Sequence, residues 1–170
     1  MKTSIRTLLP ALLAAAPLAH AAGPLYLHDS NPPRPLVWDT GRGPIPVWTD
    51  GGGAFTYDFD GVTPFITIER ANEITQFAFD QWNAVPTATL DARIAGTIEG
   101  KTGIADVTGA NAAQFYEKQN GYGFWVLYDT DGDILEDYFG VPKWAVLGIA
   151  FPEWADENGR IIEATALLNG

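Results

Sequence analysis

The sequence passes directly from an apolar run into an acidic turn at Phe124-Trp125-Val126-Leu127-Tyr128-Asp129-Thr130-Asp131-Gly132-Asp133. The run is continuously apolar or aromatic and favours β structure, which is typical of a strand covered on both faces. The acidic residues begin where this strand ends. The pattern therefore predicts a buried strand that delivers carboxylates to the loop at its end.

Acidic side chains alternate along this turn, and the spacing suits a hard divalent cation. Calcium takes six to eight oxygen ligands at about 2.3–2.6 Å, so Asp129, Asp131 and Asp133 can fold inward around one ion. Asp137 is a fourth candidate ligand. The loop is not an EF-hand, because Ile134 stands where that motif has Gly. The sequence thus predicts a structural calcium site at the four aspartates, and the alternative is a solvated acidic turn.

Residues 1–21 have the features of a cleavable secretory signal. Lys2 and Arg6 supply a positive start, an apolar run follows, and Ala19-His20-Ala21 offers a small-x-small cleavage site. That run is too short to span a bilayer, and no later segment approaches the roughly 18–20 apolar residues of a membrane helix. We therefore expect a secreted or periplasmic protein with no membrane span.

The charge and the cysteine content restrict the possible partners and sources of stability. The chain has 170 residues, a formal net charge of −11 and no cysteine. An acidic surface repels phosphate backbones, so nucleic acid is not an expected partner. Without disulfides, stability must come from the core, from bound ions or from a partner segment.

Histidine content limits the catalytic possibilities. Once the signal is removed, His28 is the only histidine left. A three-histidine zinc site cannot be built from it, and no serine-bearing elbow lies near it in the sequence. Because His28 sits in a proline-rich segment, we expect it to be inert. The sequence therefore predicts no catalytic residue.

The rest of the chain predicts one domain at residues 44–170, preceded by an extended, proline-rich lead-in at 22–43. A long helix begins after Thr67 and ends before Pro86. Its apolar spacing predicts a core-facing side made of Ala71, Ile74, Ala78, Trp82 and Val85, with Phe77 beside it.

The other elements complete an α+β fold. Strands are predicted at residues 44–49, 55–59, 90–99, 124–128, 144–151 and 160–168, and a short helix at 110–118. This order predicts a twisted, mostly five-stranded mixed sheet with one long backing helix. Residues 156–159 predict the turn between the last two strands.

Several sequence segments, taken in order along the chain, resemble the upper subdomain of matrixin-like secreted zinc metallopeptidases, a group of metzincins. They are the strand at 44–49, the helix end Phe79-Asp80-Gln81-Trp82-Asn83-Ala84-Val85, the strand at 90–98, the acidic turn, Val146-Leu147-Gly148-Ile149-Ala150-Phe151-Pro152, and Asn158-Gly159-Arg160-Ile161-Ile162-Glu163-Ala164. The resemblance implies a zincin-like upper subdomain, in which the helix backs a five-stranded sheet and structural calcium stiffens the loops between the later strands.

This sequence lacks the zinc-binding helix of the family, and that difference determines what is expected of the chain alone. In the family, a helix with His-Glu-x-x-His and a third His follows and binds zinc. This sequence reaches Gly170 without that motif. The resemblance therefore implies the amino-terminal part of an exported, calcium-stabilised zinc metalloendopeptidase, inactive alone, with zinc only in a longer parent chain and a C-terminal segment missing.

The resemblance also implies a peptide or protein substrate for the complete enzyme. The strand at 144–151 would align that substrate as an added strand. The last strand has an apolar face of Ile162, Ala164, Ala166 and Leu168, and an uncovered face of this kind tends to recruit a partner.

A second hypothesis belongs to a different class of protein. The chain would be a non-catalytic secreted calcium-binding module that recognises carbohydrate or another exported protein. Trp38, Trp144 and Trp154 fall in or near predicted loops and could stack on a sugar, although most tryptophans are expected in the core.

Overall fold

The computed structural model describes residues 25–28, 30–52 and 66–170. The predicted signal peptide at 1–21 and the predicted strand at 55–59 lie outside the described residues. Within the described ranges the fold is α+β, with a six-stranded, mostly parallel sheet and few helices. None of the helices in these ranges is long and apolar enough to cross a membrane.

The strands are β1 (Val37–Trp38), β2 (Ile45–Thr49), β3 (Ala92–Thr97), β4 (Gly123–Asp129), β5 (Gly148–Ala155) and β6 (Arg160–Asn169). The helices are α1 (Ile68–Asn83), α2 (Ile98–Thr102) and α3 (Ala112–Tyr116), with a 3-10 turn at Thr40–Arg42 and a π-helical turn at Ile134–Tyr138. The strand order is β1-β6-β4-β2-β3, and β5 pairs with β6. Among these strand pairs, only β5–β6 is antiparallel.

Strand β4 lies between β2 and β6 and is covered on both faces, as predicted. Trp125 and Leu127 are buried on one face, and Val126 and Tyr128 are buried on the other. Both neighbours of β4 run parallel to it. A parallel strand in this position needs apolar residues on both sides, which explains its unbroken apolar sequence.

The two faces of the sheet carry two cores. Helix α1 covers the smaller one, whose buried members are Ile45, Val47, Ala71, Ala92, Val126 and Tyr128. The short helices and the π-helical turn cover the larger one, which consists of Ile98, Val107, Ala112, Phe115, Tyr116, Trp125, Leu127, Ile134, Leu135 and Leu167.

Helix α1 begins as predicted, but its buried face differs from the predicted one. The Thr67 hydroxyl accepts a hydrogen bond from the Arg70 amide at 3.3 Å and caps the helix. Ala71 and Thr75 are the buried residues of the helix. The prediction that Phe77 and Trp82 lie in the core is wrong, because they are 65% and 64% exposed.

The reason is that polar side chains of α1 fix its rotation. The Ile94 amide donates to Gln76 Oε1 at 3.0 Å. Asn83 donates to the Ala92 carbonyl and accepts from the Ala92 amide, both at 2.9 Å. These bonds satisfy backbone groups along the outer edge of β3. Helix α1 therefore closes one edge of the sheet, which an unprotected strand would leave open to other chains.

Strand β5 is shifted along the sequence from its predicted position at 144–151. Residues 143–145 form a turn, in which the Ala145 amide donates to the Pro142 carbonyl at 2.8 Å. Because that turn occupies the start of the predicted segment, the strand runs from Gly148 to Ala155. The predicted turn at 156–159 is confirmed, since the Asp156 carboxylate accepts from the Asn158 and Arg160 amides.

The lead-in at 22–43 contributes more structure than its composition predicts. Strand β1 pairs in parallel with the start of β6. The Trp38 ring packs against Tyr122 at 5.8 Å and against Phe124 at 6.3 Å between ring centroids. This segment is therefore partly anchored to the sheet through one aromatic side chain.

Candidate functional site

Acidic residues gather where β2 and β4 end, at the same edge of the sheet. Asp50 follows β2 directly, and its amide donates to the Val126 carbonyl at 2.8 Å. Asp129 is the last residue of β4. Because these two strands are parallel neighbours, their carboxyl ends bring both aspartates to one side of the molecule.

Asp129 holds the turn that follows it. It is 2% exposed, and its two carboxylate oxygens accept from the amides of Ile134 and Leu135 at 3.1 and 3.0 Å. Burial raises the pKa of this carboxyl, and the two amide hydrogen bonds counteract part of that rise. Asp129 therefore acts as an acceptor for the first turn of the π-helical segment.

The other three predicted calcium ligands point to separate neighbours. Asp131 accepts from the Asp133 amide at 3.2 Å. The Asp133 carboxylate pairs with the Lys143 ammonium at 3.1 Å. Asp137 is exposed and lies against Gly109, where an added Cβ would be 3.0 Å from its carboxylate.

The four aspartates as placed do not form a calcium cage. In the described ranges, no three or more His, Asp or Glu side chains are grouped so that they could hold a metal ion. Both oxygens of Asp129 already accept backbone amides, and Asp133 already has a cationic partner. Calcium binding by this turn stays a prediction, and the donors would have to rearrange around the ion.

Asp50 and Asp106 are two acidic residues that the sequence did not single out. Asp50 is 1% exposed, and its Oδ2 has no hydrogen-bond partner in the described part of the chain. Burial raises the pKa of Asp50 to about 7, and the nearby Asp106 carboxylate adds to the rise. Burial and Asp131 likewise raise the pKa of Asp106. The local signal was Asp50 standing between a predicted strand and a glycine run.

Among the described residues, strand β5 is the open edge of the sheet. Within the described ranges it pairs with β6 alone, whereas α1 closes β3 at the opposite edge. The Asn169 amide donates to the Leu147 carbonyl at 2.9 Å. Because hydrogen-bonded pairs alternate in an antiparallel ladder, the outward positions of β5 are Gly148, Ala150 and Pro152. Pro152 has no amide hydrogen and is tolerated only at such an edge.

The candidate sugar-stacking tryptophans differ in exposure. Trp38 is half-buried against two aromatic rings. Trp144 is 86% exposed in the turn before β5, and Trp154 is 37% exposed on β5 itself. Of these three candidates, Trp144 and Trp154 at the open edge are the more accessible to a ligand on the surface.

No family model, curated protein or solved structure matches this chain. Functional proposals therefore rest on the geometry of β5 and of the acidic residues at the ends of β2 and β4.

Proposed function

We propose that this chain is the sheet-and-helix part of an exported, matrixin-like zinc metalloendopeptidase, and that β5 aligns an extended peptide as an added strand. The observation that carries the proposal is the difference between the two sheet edges. Side chains of α1 occupy the backbone groups of β3, while the outward groups of β5 have no strand partner in the described residues. Such an edge binds an extended peptide through main-chain hydrogen bonds.

The arrangement of helix and sheet adds support. Helix α1 carries the phrase Ala78-Phe79-Asp80-Gln81-Trp82 and packs on a sheet of five longer strands and the short β1. A helix that backs a sheet is also what the resemblance to the zincin-like upper subdomain implies, although the sheet expected there has five strands. The sequence contains no His-Glu-x-x-His, so zinc and peptide-bond hydrolysis are assigned only to a longer parent chain. Alone, this chain binds peptide without cleaving it.

Peptide binding at β5 is tested by amide hydrogen exchange. A mixed library of extended decapeptides is expected to slow exchange at Gly148 and Ala150, while the amides of β3 stay unchanged. The variant Ala150→Pro removes one outward amide and leaves the β5–β6 ladder intact, so it should abolish the protection. Equal protection in wild type and variant, or protection by backbone N-methylated peptides, would contradict strand addition.

The parent-chain part of the proposal has a separate test. The source gene downstream of the Gly170 codon should continue in frame and encode His-Glu-x-x-His. A stop codon at that position would refute the peptidase assignment and leave peptide binding at β5 to be judged by hydrogen exchange.

A second function is favoured by one observation. Trp144 is 86% exposed, and Leu147, three residues further along the chain, is 91% exposed. Exposed apolar groups of this kind mark binding surfaces, and a tryptophan ring can stack on a sugar. The alternative is therefore a secreted module that recognises carbohydrate or another exported protein. A polysaccharide panel should quench tryptophan fluorescence in wild type and not in Trp144→Ala; a silent panel would rule out the carbohydrate form.

A further inference from the structure

A pocket of about 220 Å³ opens beside β5, on the face of the sheet opposite α1. It is formed by three separate elements: helix α3, the end of the π-helical turn and the second half of β5. Its lining residues are Tyr116, Tyr138, Phe139, Phe151, Pro152, Glu153 and Trp154. One carboxylate thus sits in an otherwise largely aromatic wall.

The rings meet at steep angles around Phe139. The Phe139 plane is inclined 89° to Tyr138, 73° to Tyr116 and 76° to Phe151, with ring centroids 5.0–5.6 Å apart. Edge-to-face packing is ordinary in a closed core. Here, however, Tyr138, Phe139 and Phe151 are only half-buried, and they border an open pocket. Tyr138 also stacks on Tyr116 with ring centroids 5.1 Å apart, so the rings form one packed wall on this side of the pocket.

The charges around the pocket are negative. Glu153 accepts a hydrogen bond from the Thr165 hydroxyl through Oε1, and its Oε2 is buried without a hydrogen-bond partner. Burial raises the pKa of Glu153 to about 7, and the Glu163 carboxylate adds to the rise. No basic side chain of the described ranges forms an ion pair with Glu153. Glu153 therefore has no cationic partner among the described residues, and its ionised form leaves a negative charge at the pocket.

We propose that this pocket binds an organic monocation, an ammonium or quaternary ammonium group, between its aromatic rings and beside Glu153. A cation within about 6 Å of a ring centroid is attracted by the negative face of the ring. The volume lies below the roughly 300–1,000 Å³ of pockets for drug-sized ligands, so it suits a head group or one side chain. This site is independent of the peptidase proposal, because it needs neither zinc nor hydrolysis.

Choline and its neutral isostere 3,3-dimethylbutan-1-ol form the first test, because they share a shape and differ in charge. Titration of the full chain, followed by tryptophan fluorescence and by the NMR signals of the aromatic rings, should show choline binding at least about tenfold more tightly. Equal affinity for both compounds would reduce the site to an apolar cleft and overturn the proposal. Binding of neither compound to the folded protein would overturn it as well.

Variants then locate the site. Glu153→Gln keeps the size of the side chain and a hydrogen bond to Thr165, and it should weaken choline binding about tenfold without changing binding of the neutral alcohol. Trp154→Ala, at the partly exposed rim, should also weaken choline binding. Trp82→Ala is the matched control, because that ring is exposed on helix α1 and lies outside the pocket lining. Unchanged choline affinity in both pocket variants would refute the assignment.

The source of the cation is resolved by a second pair of probes. A lysine-containing extended decapeptide that competes with choline, when its norleucine analogue does not, identifies the ligand as a peptide side chain. Choline binding without competition by the lysine peptide identifies a free small molecule. Either result supports a cation site, and competition by the norleucine peptide alone would contradict it.

Discussion

Replacing Asp50 with Asn should make the protein relatively more stable as the pH rises. Asp50 is buried at the end of β2, and its Oδ2 has no hydrogen-bond partner in the described residues. Burial and the Asp106 carboxylate raise its pKa from the usual 3.8 to about 7. The native state therefore holds the Asp50 proton more tightly than the unfolded state does. The stability that Asp50 contributes is complete below pH 3.8 and is lost as the pH rises through 7.

The size of the effect follows from the same shift. A difference of about three pKa units corresponds to about 4 kcal/mol at 1.36 kcal/mol per unit. Most of this stability, roughly 2–3 kcal/mol, is lost as the pH rises from 5 to 8. Asn cannot ionise, so the variant does not suffer this loss. Its free energy of unfolding, minus that of the wild type, should increase by roughly 2–3 kcal/mol over this interval.

The assay is urea denaturation of both proteins at several pH values, with a chelator present so that no divalent cation favours ionised Asp50. Taking the difference at each pH removes the titration of all groups that the two proteins share. Glu157→Gln is the control, because Glu157 is exposed in the β5–β6 turn and its substitution removes the same charge. A difference that stays constant with pH, or that falls, would refute the argument that burial dominates at Asp50.

Three further predictions concern the acidic turn and β4. Excess calcium should raise the thermal midpoint, since a ligand at about 100 times its Kd stabilises by about 2.7 kcal/mol, and Asp131→Asn should reduce the rise; no rise in the wild type would contradict the calcium site. Asp129→Ala should cost roughly 2–4 kcal/mol in urea denaturation, because the Ile134 and Leu135 amides lose their acceptor; a loss below 1 kcal/mol would contradict that role. Gly123→Ala places a Cβ 2.8 Å from the Pro46 carbonyl and should destabilise by roughly 1–3 kcal/mol in the same assay, whereas unchanged stability would show that β2 yields easily.

Short sequence patterns predicted several elements of the fold correctly. The apolar run at 124–128 predicted a strand buried on both faces, and β4 is buried in this way. Thr67 predicted the start of α1, and its hydroxyl caps that helix. Both predictions succeeded because the signal lay in one short stretch of sequence: an unbroken apolar run for β4, and a capping hydroxyl three residues before Arg70 for α1.

The rotation of α1 could not be read from its apolar spacing. Ile74 and Trp82 form a regular apolar stripe, yet they are 44% and 64% exposed. Gln76 and Asn83 instead turn toward β3, because they satisfy backbone groups there. A hydrogen bond to an edge strand depends on where that strand lies, which periodicity does not encode. In contrast, Pro152 could have indicated from the sequence that β5 is an edge strand.

The candidate sites were also predictable only where their residues lie close together in the sequence. The acidic turn could be recognised because its aspartates are close in sequence. The hydrogen bonds that these aspartates accept could not be predicted from that spacing. Asp50 was missed because its importance comes from burial against residues near 106, which are distant in the chain. The pocket at Glu153 joins three elements, so no single stretch of sequence could predict it.

The peptide-binding edge and the Glu153 pocket both lie on β5, and Pro152 limits how much of this strand an added peptide can pair with. Pro152 lacks an amide hydrogen, and the pairing of β5 with β6 shifts register between Pro152 and Ala155. An added strand can therefore pair regularly only with the first half of β5, from Gly148 to Phe151. So short a ladder supplies few main-chain hydrogen bonds, and side-chain contacts must contribute much of the affinity. The pocket at Glu153 lies where the regular pairing ends. A lysine side chain in that pocket would fix the register of the peptide, which backbone pairing alone leaves free to slip.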